Sequence, residues 1–129
     1  MKKAVITGST GSVGRAIIDK LVSENVEVTV LYHRDSKRID GIPSNELVKK
    51  ICCSLDEMKD FVPEKNDYEV FYHLAWAGTT GAARDDADLQ LKNIEYTLDA
   101  VELAKRMGCR NLICAGSQAE YGLCDKPLT

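Results

Sequence analysis

Gly8, Gly11 and Gly14 stand at intervals of three in "AVITGSTGSVGRAII". Glycine weakens strands and helices alike, so its repetition points to a requirement of the backbone itself. This spacing suits a turn that holds an anion such as a pyrophosphate. One glycine permits the tight turn, another lets backbone N–H groups approach phosphate oxygens, and the third lets a following helix pack close to a sheet. A glycine-rich turn without a ligand is the plain alternative. Other reactive residue types are less organised. His33 and His73 have no partner at metal-ligand spacing. Cys52, Cys53, Cys109, Cys114 and Cys124 are odd in number and contain no C-x-x-C, which reads as reduced structural thiols.

A glycine turn carries more weight as a phosphate site when it lies between a strand and a helix, and the flanking residues supply both. Residues 3–6 are a short apolar run; then Val13, Ile17 and Leu21, joined by Ile18 and Val22, recur at helical spacing. "EVTVLYH" from Glu27, "ELVKKICC" ending at Cys53 and "YEVFYHLAWAG" stopped by Gly78 read as three further strands. "SLDEMKDF" allows only a short helix, and "DSKRIDGIPSN" reads as loop. From about residue 85 to 107, Leu91, Ile94, Leu98, Val101 and Ala104 mark a long helix. Asp85, Asp86 and Asp88 suit its positive end, Lys105 and Arg106 its last turn, and Gly108 its C-cap. "RNLICAGS" supplies a fifth strand. This alternation predicts an α/β fold, a Rossmann-type doubly wound parallel sheet ordered 3-2-1-4-5, with ligands at the carboxyl ends of its strands.

The chain has 129 residues, enough for one domain, and its 44% apolar and 29% charged content is that of a globular protein. A net charge of −3 supplies no basic field for nucleic acid or an anionic membrane. No apolar run reaches the roughly 18 residues of a membrane span, and Met1-Lys2-Lys3 leads straight into a strand with no signal-peptide core, so a cytoplasmic location is expected.

"TGSTGSVG" resembles the TGxxGxxG fingerprint of the short-chain dehydrogenase/reductase superfamily. "VFYHLAWAG" resembles the fourth-strand motif of its extended branch, with Trp76 where the second Ala of HLAA usually stands. "NIEYTLDAVELAKRMGCRNLICAGSQAEYG" resembles that branch's Asn-initiated helix and the strand leading to a catalytic serine. The extended branch contains NAD-dependent epimerases, dehydratases and reductases of nucleotide sugars. The resemblance implies that Gly8, Ser9, Gly11, Ser12, Val13 and Gly14 surround the pyrophosphate. Leu55 would lie near the adenine, and Leu74, Ala75 and Trp76 on the ribose and nicotinamide side. Asn93 would brace the site from inside the long helix, the alternative being a solvent-facing polar residue.

The second strand ends in Tyr32-His33-Arg34, with no carboxylate before Asp35 to accept from ribose hydroxyls, while the planar fork of Arg34 suits a 2′-phosphate. NADP is therefore expected ahead of NAD. The alternative leaves Arg34 as a solvated charge and the adenosine held by packing.

Ser117 takes the place of the family's catalytic hydroxyl, which hydrogen-bonds the substrate's reacting oxygen while a Tyr, acidified by a Lys four residues on, moves the proton. No Tyr in this chain is followed four residues later by Lys. Residues 1–129 are thus expected to be an incomplete dinucleotide-binding domain, the amino-terminal portion of such an enzyme without its substrate domain, and "DKPLT" resembles the loop before the missing part. Taken alone, the portion is expected to be catalytically inactive, a dinucleotide-binding module, and to self-associate through an uncovered edge strand and helix stripe.

Overall fold

The structure, a computed structural model, describes residues 1–123. Cys124 and the "DKPLT" segment lie outside the described residues.

Five parallel strands, β1 (Lys3–Thr7), β2 (Glu27–Tyr32), β3 (Val48–Cys52), β4 (Val70–His73) and β5 (Asn111–Cys114), form one sheet in the order β3-β2-β1-β4-β5. This is the expected doubly wound order. Helix α1 (Ser12–Ser23) joins β1 to β2, and α2 (Ala87–Arg106) joins β4 to β5. The connections around β3 carry only 3₁₀ turns at Ile39–Gly41 and Leu55–Glu57.

Alternation along the strands divides the core in two. On β1, Ala4 and Ile6 face α1 and pack with Ile18, Leu21, Val28, Val30 and Ile42. Val5 faces the other way, toward Phe71, Leu31, Met58, Ala100, Leu103 and Met107. With period-two side chains, a central strand covered on both faces must be apolar throughout, and residues 4–6 of β1 are fully buried.

Each helix buries only part of its apolar stripe, and in α1 Ile17 and Val22 pack partly buried beside the buried residues. In α1 the buried residues are Gly14, Ile18 and Leu21, while Val13 is exposed. In α2 they are Asn93, Ala100, Leu103 and Ala104, whereas Leu91, Ile94 and Leu98 are exposed. The small Ala100 and Ala104 let α2 lie close to the sheet, which leaves the larger side chains outside. α2 ends where Met107 is followed by Gly108 at φ +79, with the N–H of Cys109 donating to Ala104 O at 2.9 Å. A side chain at Gly108 would overlap the Asn66 carbonyl.

Candidate functional site

The three glycines answer three different physical demands. Gly8 turns the chain at φ +69, and an added Cβ would come 2.5 Å from the Leu74 carbonyl carbon, so the exits of β1 and β4 touch there. Gly14 lies against the same turn, where a Cβ would overlap the Gly8 carbonyl. Gly11 adopts φ −77 and ψ 163, a conformation open to any residue, and a Cβ would meet only Gly8 O at 3.4 Å. Its outer side is open.

Gly11 is also the N-cap of α1, and it offers no side-chain acceptor to the first-turn N–H groups, which contain no acidic residue either. α2 is finished differently: Asp86 Oδ1 accepts from the Leu89 N–H at 3.2 Å, with Asp88 in the first turn. The positive end of α1 is therefore left with unmet donors, the arrangement that attracts an anion.

A groove of about 490 Å³ passes this turn along the carboxyl ends of four strands. Tyr32, His33, Ser36 and Arg38 wall it beyond β2, Cys53, Ser54 and Leu55 beyond β3, and Leu74, Ala75 and Trp76 beyond β4. Of the residues assigned by resemblance, Gly8, Ser9, Gly11, Leu55, Leu74, Ala75 and Trp76 border the groove. Ser12, Val13 and Gly14 form the first turn of α1 and are not among its lining residues.

Arg34 is placed differently from the expectation. Its guanidinium pairs with Glu57, and it does not line the groove. Glu57 belongs to a capping box: its carboxylate accepts the Ser54 N–H at 2.7 Å, and the Ser54 hydroxyl accepts the Arg34 N–H at 3.3 Å. The Ser54 N–H, with the Ser54 hydroxyl and Arg34, holds the Glu57 carboxyl below its ordinary range. Arg34 thus ties the loop after β2 to the loop after β3, and the cation bordering the groove is Arg38.

A second cavity, of about 540 Å³, continues from the far end and contains Ser117 together with Arg84, Gln90, Thr97 and Glu120. Leu74, Ala75, Trp76 and Thr79 line both spaces. The Ser117 N–H donates to Glu120 Oε1 at 2.9 Å, which fixes the serine backbone.

Beneath the seam between the two spaces, the Thr7 hydroxyl accepts the N–H groups of Leu74 and Ala75 at 3.2 and 3.3 Å. With both lone pairs engaged, its own proton goes to His73 Nδ1 at 3.0 Å, which assigns the ring proton to Nε2. Burial pushes the His73 imidazole below its ordinary pKa, so it stays neutral near pH 7.

Asn93 is 1% exposed, which removes the solvent-facing alternative. Its Oδ1 accepts the Ala77 N–H at 2.9 Å and its Nδ2 donates to the Ala77 carbonyl at 2.9 Å. It lines neither space; it holds the loop that does.

Thr7, Arg38 and Gln90 were not singled out in the sequence. Nothing local distinguishes Arg38 from Arg34 and Lys37 in "HRDSKR". Gln90 could have been found one helical turn before Asn93, on the same face of α2. Among the described residues no group of His, Cys, Asp or Glu is arranged to hold a metal ion, and no helix is long and apolar enough to cross a membrane.

Sheet order, glycine turn and a groove across the strand ends define the Rossmann-type class of dinucleotide-binding folds. The profile of the NAD dependent epimerase/dehydratase family matches residues 4–129, and the chain belongs to that family. A search of curated proteins gave no match. Among solved structures, a UDP-galactose 4-epimerase superposes with TM-score 0.77 at 25% identity over 96% of this chain and 41% of its own. MoeE5 in complex with UDP-glucose and NAD gives 0.74 at 19% identity, over 98% and 40%. A wide-type short-chain dehydrogenase/reductase from Veillonella parvula in complex with NADP gives 0.64 at 18%, over 94% and 50%. The chain thus spans 41% of the length of the epimerase it resembles.

Proposed function

We propose that residues 1–129 form the dinucleotide-binding domain of an enzyme that moves hydride between nicotinamide and a carbon of a nucleotide sugar. The reading rests above all on the first turn of α1, whose unmet N–H groups adjoin the open side of Gly11. Those donors, not any side chain, would hold the pyrophosphate. Leu55 would border the adenine, and Leu74, Ala75 and Trp76 the nicotinamide side. When bound, the nicotinamide supplies the hydride acceptor or donor. Ser117 would hydrogen-bond the oxygen on the reacting carbon, and the Thr7–His73 pair holds the backbone at the seam in place. The likeness to nucleotide-sugar epimerases supports the substrate class.

NADP is the proposed preference, with Arg38 in place of Arg34 as the partner of the 2′-phosphate, because Arg34 is engaged by Glu57. Calorimetric titration tests both points. Arg38→Ala is expected to weaken NADPH by about 1.5–3 kcal/mol, the scale of a charge-assisted hydrogen bond, and NADH far less. Equal losses for the two nucleotides, or selectivity that resides in Arg34→Ala, would overturn the assignment.

A second reading, a dinucleotide-binding module without turnover, rests on one observation: no Tyr here is followed four residues later by Lys. Hydride transfer to a nucleotide sugar by the 129-residue polypeptide would exclude it. Self-association through Leu91, Ile94 and Leu98 belongs to the same proposal.

A further inference from the structure

Trp76 is the chain's single tryptophan, is 47% exposed, and lines both the groove and the Ser117 cavity. Its position is fixed by a closed set of hydrogen bonds. The indole N–H donates to Gln90 Oε1 at 2.8 Å, and that oxygen also accepts from Asn93 Nδ2 at 3.2 Å. Gln90 Nε2 donates to the carbonyls of Gly78 and Ala83, at 3.3 and 3.1 Å. Every donor and acceptor of the Gln90 amide is thereby in use, and so is the only polar group of the indole. What Trp76 can still offer to either space is the aromatic ring.

The location decides what that ring would meet. A ligand ring that exchanges hydride with something held by Ser117 must sit where the groove opens into the cavity. That seam is lined by Leu74, Ala75, Thr79 and Trp76, and Trp76 is the aromatic residue of the four. The oxidised nicotinamide ring is a planar cation, and the reduced ring is neutral. Among aromatic side chains, tryptophan presents the face that attracts a cation most strongly through its quadrupole.

We propose that Trp76 stacks on the nicotinamide ring and binds its oxidised form in preference to its reduced form. The inference rests on the dinucleotide reading above and adds to it a redox bias set by one residue. A half-exposed cation–π contact corresponds to roughly a two- to fivefold preference.

The experiment titrates the 129-residue protein with NAD⁺, NADP⁺, their reduced forms and ADP-ribose, following heat and Trp76 fluorescence together. ADP-ribose fills the groove without presenting the ring. An oxidised dinucleotide is expected to quench Trp76 well beyond the change ADP-ribose produces. Trp76→Leu is expected to weaken the oxidised form roughly two- to fivefold more than the reduced form. Dinucleotide binding by calorimetry with no more quenching than ADP-ribose, in the unaltered protein, overturns the stacking and leaves the dinucleotide reading standing. Equal losses of both redox forms in Trp76→Leu overturn the bias. No heat with any nucleotide overturns the dinucleotide reading and this inference together.

Discussion

Replacing Gly11 by valine separates the binding role of the glycine turn from its folding role. The backbone at Gly11, φ −77 and ψ 163, is extended and suits a β-branched residue, and the nearest atom to an added Cβ is Gly8 O at 3.4 Å, an ordinary contact. Gly11 is also the N-cap of α1, where valine is a poorer cap than glycine, so a loss of only about 0.5–1.5 kcal/mol of folding stability is expected. The valine methyl groups, however, project into the open side where the pyrophosphate must approach the first-turn N–H groups of α1. Losing one or two charge-assisted hydrogen bonds there costs about 2–4 kcal/mol, roughly a thirty- to several-hundred-fold rise in Kd. Gly14→Ala makes the opposite comparison. Its Cβ would overlap the Gly8 carbonyl, so α1 must shift, and overpacking of this kind costs about 1–3 kcal/mol of stability. Denaturant unfolding measures the stabilities, and calorimetry with NADPH and NADH measures binding. Gly11→Val protein that remains folded and binds as tightly as the original would refute the placement of the phosphates.

The loop after β4 should prove sensitive to Asn93. Asn93→Leu strands the N–H and carbonyl of Ala77, and a loss of about 2–4 kcal/mol in urea unfolding is expected; a loss below 1 kcal/mol would mean the loop holds without it. The His73 imidazole is depressed by burial, so the unfolded chain takes up its proton at higher pH than the folded one. The stability this contributes is complete above the unfolded value of 6.5 and falls away as pH drops below it toward the folded value. Stability measured from pH 7.5 to 5 should decline below about 6.5 in the unaltered protein and lose that part of the slope in His73→Gln, whereas identical slopes would place the titration elsewhere.

Much of the fold was legible because its signals are local. The glycine spacing, the β-branched runs and the Asp86 and Gly108 ends of α2 are set by residues within a few positions of one another. They point to the doubly wound class, whose common strand order 3-2-1-4-5 is the one observed. Local pattern alone does not say which part of a helix's apolar stripe the sheet covers. The apolar residues Leu91, Ile94 and Leu98 remain exposed, because contact with the sheet favours the small Ala100 and Ala104 and the bonded Asn93. The site divides in the same way. A phosphate-holding turn could be read from Gly8, Gly11 and Gly14, since each glycine's demand arises at the β1–α1 junction. Which arginine borders the groove could not. Arg34 and Arg38 are chemically alike and four residues apart, and the choice between them is made by Glu57, brought from the loop after β3 to engage Arg34. The clamp from Trp76 through Gln90 to Asn93 joins the end of β4 to α2 across 14 and 17 positions. Such pairings are decided by tertiary structure, because hydrogen-bond partners far apart in the chain leave no periodicity for a sequence to display.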